Sequence, residues 1–179
     1  MRASTCLFIF VSFISTKALA FGADMTASED YLSVRGGTGN PGEAGLSLQA
    51  TWFKNNETGY ALGGVAGFGI PIGRFTITPE SGILYLNTEQ GEDGVAVIPG
   101  GKVSIEVGRS ISLFGEYLYA PDELSDNIRS FRDYNAGVRY TMLRPISIIA
   151  GYRHAEYTSS DYKNKTLAEG IYLGGSVWF

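Results

Sequence analysis

The sequence predicts an all-β chain, a single antiparallel transmembrane β-barrel of eight strands with ten as the alternative count. Three observations predict it. From residue 43 to 179, long segments alternate apolar with polar or small residues, the period of two expected of strands whose two faces meet different surroundings. Most of these segments are longer than the roughly 5–6 residues usual in soluble sheets and approach the roughly 9–11 that a tilted strand needs to cross a bilayer. The connections between them alternate short and long, as in outer-membrane barrels with tight periplasmic turns and longer external loops.

The chain opens with Arg2, an apolar run over residues 6–14 and the small-residue exit Ala18-Leu19-Ala20. That order of charge, apolar core and A-x-A exit is a secretory signal peptide over residues 1–20. The run is too short for a spanning helix, and no later segment approaches the roughly 20 apolar residues required. Cys6 is the single cysteine. It sits within the expected leader, so the mature chain has no disulfide, thiol nucleophile or cysteine metal site. A lipid-accepting cysteine would close the apolar run, whereas Cys6 opens it. Removing residues 1–20 takes away Arg2 and Lys17 and no acid, which moves the net charge from −4 to −6. So acidic a chain is a poor nucleic-acid binder, and no glycine-rich phosphate loop opening a helix is present.

Residues 21–42 are the ambiguous part. Tyr31 to Gly37 alternates, and Gly39-Asn40-Pro41-Gly42 reads as a turn, but one extra strand would spoil the even count that keeps both chain ends in the periplasm. They are expected to be an N-terminal lead or an extra strand, the latter leading toward the ten-strand alternative. The barrel proper is expected over residues 43–179, with strands at 44–54, 60–70, 74–86, 95–107, 111–120, 134–142, 146–157 and 170–179. Tight turns fall at 71–74, 108–110 and 143–145, and polar loops at 55–59, 87–94, 121–133 and 158–169.

Alternation assigns the faces. Ile111, Leu113, Tyr117, Tyr134, Val138, Tyr140, Ile146, Ile148 and Tyr152 share the apolar side of their strands, as do Phe75, Ile77, Ile83, Val95, Val97 and Val103. Glu80, Lys102, Glu106, Glu116, Arg139 and Arg153 all fall on the opposite side. Because an Arg or Lys facing lipid near the midplane costs roughly 2–4 kcal/mol, these six are expected in the lumen. An eight-strand lumen is just wide enough to be filled by side chains, so its charges must pair; Glu116 is expected to meet Arg139, Arg153 or both. Structural packing is the plainer role for this network, and a gated polar pathway the other. The tyrosines read as an interfacial girdle.

The end of the chain, Tyr172-Leu173-Gly174-Gly175-Ser176-Val177-Trp178-Phe179, resembles the signal by which the barrel insertion machinery recognises its substrates, carried by Tyr172, Gly174, Val177 and Phe179. Leu113-Phe114-Gly115-Glu116-Tyr117-Leu118-Tyr119-Ala120-Pro121-Asp122, then Asn135-Ala136-Gly137-Val138-Arg139-Tyr140, Arg144-Pro145 and Gly151-Tyr152-Arg153, resemble the YfaZ family of bacterial outer-membrane proteins. Tyr85-Leu86-Asn87 and Thr166-Leu167-Ala168-Glu169-Gly170 fit as well. The resemblance runs from about Tyr31 to Phe179. It implies location and fold, and brings no activity with it.

Small outer-membrane barrels include lipid-modifying enzymes, so His154, the only histidine, is a weak catalytic candidate. It falls on the lipid face near the outer rim, two residues before Glu156 and with Ser130 a candidate neighbour at the end of the preceding strand, without a nucleophile motif. The loop acids Glu89, Glu92, Asp93, Asp122, Glu123 and Asp126 could hold divalent cations between lipopolysaccharide phosphates, but their spacing matches no known loop and solvated acids are the simpler reading. Lys163, Lys165, Arg129 and Arg132 could contact those phosphates directly. No cofactor is expected; the expected partners are outer-membrane lipid, lipopolysaccharide and the insertion machinery. The leading function is an outer-membrane barrel of structural, interaction or narrow-pore type with a charged, largely plugged lumen. The rivals are a lipid-modifying enzyme using His154 and a secreted soluble β-barrel binding an apolar ligand.

Overall fold

The computed structural model describes residues 21–40, 42–55, 58–88, 93–159 and 163–179; the leader expected at 1–20 lies outside them. Eleven strands form: β1 (Phe21–Ala27), β2 (Tyr31–Thr38), β3 (Gly45–Asn55), β4 (Gly59–Ile72), β5 (Phe75–Thr88), β6 (Gly94–Glu106), β7 (Ile111–Ala120), β8 (Ser125–Asp126), β9 (Ile128–Leu143), β10 (Ile146–Ser159) and β11 (Asn164–Trp178). Ten of them close into an antiparallel barrel in chain order, β1 pairing with both β2 and β11. Closure gives each of these ten strands a paired neighbour on both sides, a requirement in a medium that offers no water to backbone groups.

The ten-strand alternative is therefore the observed count, and a lead over residues 21–42 is corrected. That segment supplies two strands, joined by a tight turn in which Ser28 N donates to Tyr31 O at 2.9 Å. Adding two strands leaves the parity intact, so the objection to an extra strand dissolves. β1 was hard to see because its alternation lasts only seven residues. Its register from Gly22 opposite Trp178 to Ala27 opposite Leu173 closes the ring.

The strands also climb further than expected. β9 begins at Ile128, β10 runs to Ser159 and β11 begins at Asn164, so residues 128–133, 158–159 and 164–169 of the polar loops expected at 121–133 and 158–169 continue the barrel wall. Where β7 stops at Ala120, the following segment folds back and β8 pairs with the outer end of β6, Asp126 opposite Val95 and Ser125 opposite Ala96. This patch covers an edge that the short β7 would leave open.

The face assignment agrees with the register read from the sequence. Ile111, Leu113, Tyr117, Tyr134, Val138, Ile146 and Ile148 are exposed around the outside, whereas Glu80, Lys102, Glu116 and Arg153 are buried within. A soluble barrel holding an apolar ligand would need the inverse arrangement.

Candidate functional site

The lumen is built in three layers. The outer layer is apolar, because the upper ends of the strands turn Tyr31, Phe53, Leu86, Ile98, Leu118, Phe131, Tyr157 and Leu167 inward, all of them buried in one cluster. Tyr31 and Phe53 stack with centroids 5.0 Å apart. A cavity of about 30 Å³ remains there, bounded by this cluster and by Arg35, Asp133 and Arg153, enough for about two waters.

The middle layer carries the charges. Arg35 on β2 and Glu116 on β7 stand on opposite walls of the ten-strand ring. Arg35 Nη1 donates to Glu116 Oε1 at 2.9 Å and Oε2 at 3.1 Å, so the pair is a strut across the diameter. Asn135 Nδ2 adds a bond to Glu116 Oε2 at 3.3 Å. Arg153 grips Asp133 through Nη2 at 2.6 Å and Nε at 3.0 Å, and its guanidinium lies 4.8 Å from the Phe53 ring centroid. Asp24 is the joint that ties β1 to its neighbours. It accepts from Ser176 Oγ at 2.5 Å and Trp178 Nε1 at 2.7 Å on β11, and from Arg139 Nη2 at 3.4 Å on β9.

The periplasmic layer is made by residues 39–40 and 42–44, which follow β2 and precede β3. These residues reach the far wall: Ser104 Oγ on β6 donates to Gly42 O at 2.9 Å, and Arg139 Nη1 on β9 donates to Asn40 Oδ1 at 3.2 Å. Asn40 holds the turn by donating to Glu43 Oε1 at 2.8 Å. The connection passes so close to β4 that a Cβ on Gly69 would overlap the Glu43 carbonyl oxygen. Glycine is needed there for space. Between this floor and the ion pairs lies a second cavity of about 40 Å³, lined by polar groups including Asp24, Lys102, Asn135 and Arg139.

Five of the six expected lumen charges point inward: Glu80, Lys102, Glu116, Arg139 and Arg153. Glu106 is corrected; as the last residue of β6 it is exposed at the periplasmic rim, because alternation continues to the strand end after the enclosed lumen has stopped. The expected partners of Glu116 are corrected too. Arg139 is engaged by Asp24 and Arg153 by Asp133, while Glu116 takes Arg35. Arg35 and Asp24 went unnoticed because they lie in the segment read as a lead, and Asp133 because it was assigned to a loop. The available signal was that Asp24, Ser33 and Arg35 sit at alternate positions opposite the apolar Ala23, Met25 and Val34. Glu80 is buried with no hydrogen-bond partner for Oε2 among the described residues.

His154 lies on the outer surface with Nε2 3.6 Å from Glu156 Oε2, and Glu156 also faces Arg132 at 3.8 Å. Ser130 is bonded to Thr158 at 3.0 Å, four residues along β10 from His154 and so about 13 Å away. The constellation of histidine, acid and serine is not assembled. Glu89 and Glu92 lie outside the described residues; Asp93 accepts from Tyr85 Oη at 3.0 Å and Asn87 Nδ2 at 2.9 Å, and Asp122 faces Arg129 at 3.4 Å. Among the described residues no group of three or more histidine, cysteine or acidic side chains is arranged to hold a metal. Of the residues in the expected insertion signal, Tyr172 points into the lumen and donates to Asn135 Oδ1 at 2.7 Å. Gly174 leaves no room for a Cβ against the Met25 carbonyl, and Val177 and Phe179 are exposed outside.

A family model described as "YfaZ precursor" matches residues 2–179. The chain belongs to the YfaZ family. The Outer membrane protein YfaZ of Escherichia coli (strain K12) is 35% identical over 167 residues, 93% of this chain and 92% of that protein. The protein is accordingly an outer-membrane β-barrel, and the family's description as a precursor agrees with a cleaved leader. Among solved structures, the KdgM porin aligns with a TM-score of 0.50 and 11% identity over 90% of this chain and 99% of that one, a likeness of fold alone. The outer membrane channel DcaP of Acinetobacter baumannii gives 0.49 and 13% over 87% of this chain, which spans about half (54%) of that channel.

Proposed function

We propose that this family member is a closed-lumen barrel of structural or interaction type, whose interior charges brace the wall and line no open pathway. The observation that carries this reading is the filling of the lumen: an apolar layer outside, a strut from Arg35 to Glu116 across the middle, and a backbone floor at the periplasmic mouth, with small cavities of about 30 and 40 Å³ among the described residues. Such spaces admit a few waters and no sugar or peptide. The external surface then carries the interactions. Tyr117, Tyr119 and Tyr134 cluster with ring centroids 6.4 and 4.7 Å apart, and Arg132 lies over Tyr119 at 5.7 Å. This amphipathic girdle suits the lipopolysaccharide headgroup region. The exposed Val177 and Phe179 are the part of the chain end available to the insertion machinery.

The test is conductance of the refolded mature protein in a planar lipid bilayer, with folding verified by a heat-dependent gel shift. A silent bilayer is the expected result. Discrete current steps that change when Glu116 or Arg153 is neutralised would replace this reading with a narrow pore.

A further inference from the structure

The arginines of the barrel divide by position. Arg35, Arg129, Arg132, Arg139 and Arg153 each have a carboxylate within ion-pair distance. Arg74, Arg109 and Arg144 have none among the described residues, and all three are exposed. They occupy the tight turns of the periplasmic rim, between β4 and β5, β6 and β7, and β9 and β10. Those six strands are consecutive around the ring, so the turns follow one another about 10 Å apart, two strand spacings. Each turn is bracketed by apolar residues. Ile72 pairs with Phe75 across the first and Leu143 with Ile146 across the last, and in the middle one Val107 N donates to Ile111 O at 3.0 Å. All six of these residues are exposed. A connection this short keeps each arginine close to the end of the lipid-facing wall. The acids of the same rim are Glu43, which is held by Asn40, and Glu106, which forms no ion pair with these arginines among the described residues.

We propose that these three turns form a binding surface for anionic phospholipid at the periplasmic face of the membrane, with Arg74, Arg109 and Arg144 taking headgroup phosphates and the bracketing apolar residues meeting the acyl chains. An arginine stem lies along apolar surface while its charged head stays in the polar layer, and the planar guanidinium fork matches a phosphate with two parallel hydrogen bonds. Basic groups near a bilayer surface are attracted by anionic lipid, and here the protein supplies no competing carboxylate. The apolar brackets favour a lipid over a soluble phosphate, which gains nothing from them. The surface lies on the rim and is independent of whether the lumen conducts.

The experiment is native mass spectrometry of the refolded mature protein in non-ionic detergent at low ionic strength, titrated separately with phosphatidylglycerol and phosphatidylcholine. Wild type is compared with Arg74→Gln, Arg109→Gln, Arg144→Gln and the triple variant. One basic residue beside an anionic lipid surface is worth about fivefold in association. The expected result is a wild type that prefers phosphatidylglycerol, a loss of about fivefold in that association for each single variant and of about a hundredfold for the triple, with phosphatidylcholine binding little changed. Equal wild-type affinity for the two lipids, or undiminished phosphatidylglycerol binding in the triple variant, would overturn the proposal. If the triple variant does not fold, the single variants decide it: a loss in each supports the surface, and unchanged affinity in all three removes it. Sedimentation of wild type with purified peptidoglycan, lost in the triple variant while phosphatidylglycerol binding persists, would assign the turns to the cell wall and refute the lipid.

Discussion

Replacing Glu116 by glutamine tests the central strut directly. The change keeps the side chain's shape and deletes its charge, and so strands Arg35 in the lumen. The two side chains are 2% and 12% exposed, which leaves little water to take over the lost partner. Removing one member of a buried pair costs about 3–5 kcal/mol, two to four orders of magnitude in the folding equilibrium at about 1.4 kcal/mol per tenfold. The double variant Arg35→Met/Glu116→Leu replaces the pair with apolar groups of similar size and should recover most of that loss, because neither charge remains to be desolvated. Urea unfolding in phospholipid vesicles is the assay, followed by fluorescence of Trp52 on the lipid face and Trp178 in the lumen and by gel mobility. A Glu116→Gln variant within about 1 kcal/mol of wild type, or single-variant costs that simply add in the double, would refute the strut.

Asp24→Ala should cost about 3 kcal/mol by freeing Arg139 and should shift Trp178 emission, since Asp24 holds the indole N–H; an unchanged unfolding midpoint would show that the joint between β1 and β11 does not depend on it. Val138→Arg, on the lipid face midway along the crossing, should destabilise by about 2–4 kcal/mol, whereas Leu143→Arg at the periplasmic end of β9 should cost about 0–1. Equal costs measured by vesicle unfolding would mean that the bilayer is placed wrongly. His154→Ala should leave stability within about 0.5 kcal/mol and the lipid composition of the outer membrane unchanged by mass spectrometry. A lost lipid species would point instead to catalysis.

The legible and illegible parts of the lumen divide by distance along the chain. Glu116, Arg139 and Arg153 could be placed inside because each sits between lipid-facing neighbours on its own strand, a local relation. Their partners could not be assigned, since Arg35 and Glu116 are 81 residues apart and meet only across a closed ring whose strand number sets who faces whom. An eight-strand circle without β1 and β2 contains neither Arg35 nor Asp24, so the missed strands and the misassigned pairs are one error. Likewise, Leu118 and Phe131 are unremarkable in their own segments and become a seal only when the strand tops converge.

By itself the sequence determined the barrel class, the crossing strands, their inward and outward faces and the expected export signal, because period-two alternation, strand length and the cost of charge in lipid are written residue by residue. Only the tertiary structure decided the count of ten, the partners of Glu116, Arg139 and Arg153, the apolar seal and the periplasmic floor formed by Asn40, Gly42 and Glu43. These depend on closure, which brings together groups far apart in sequence whose energies arise from burial against the opposite wall.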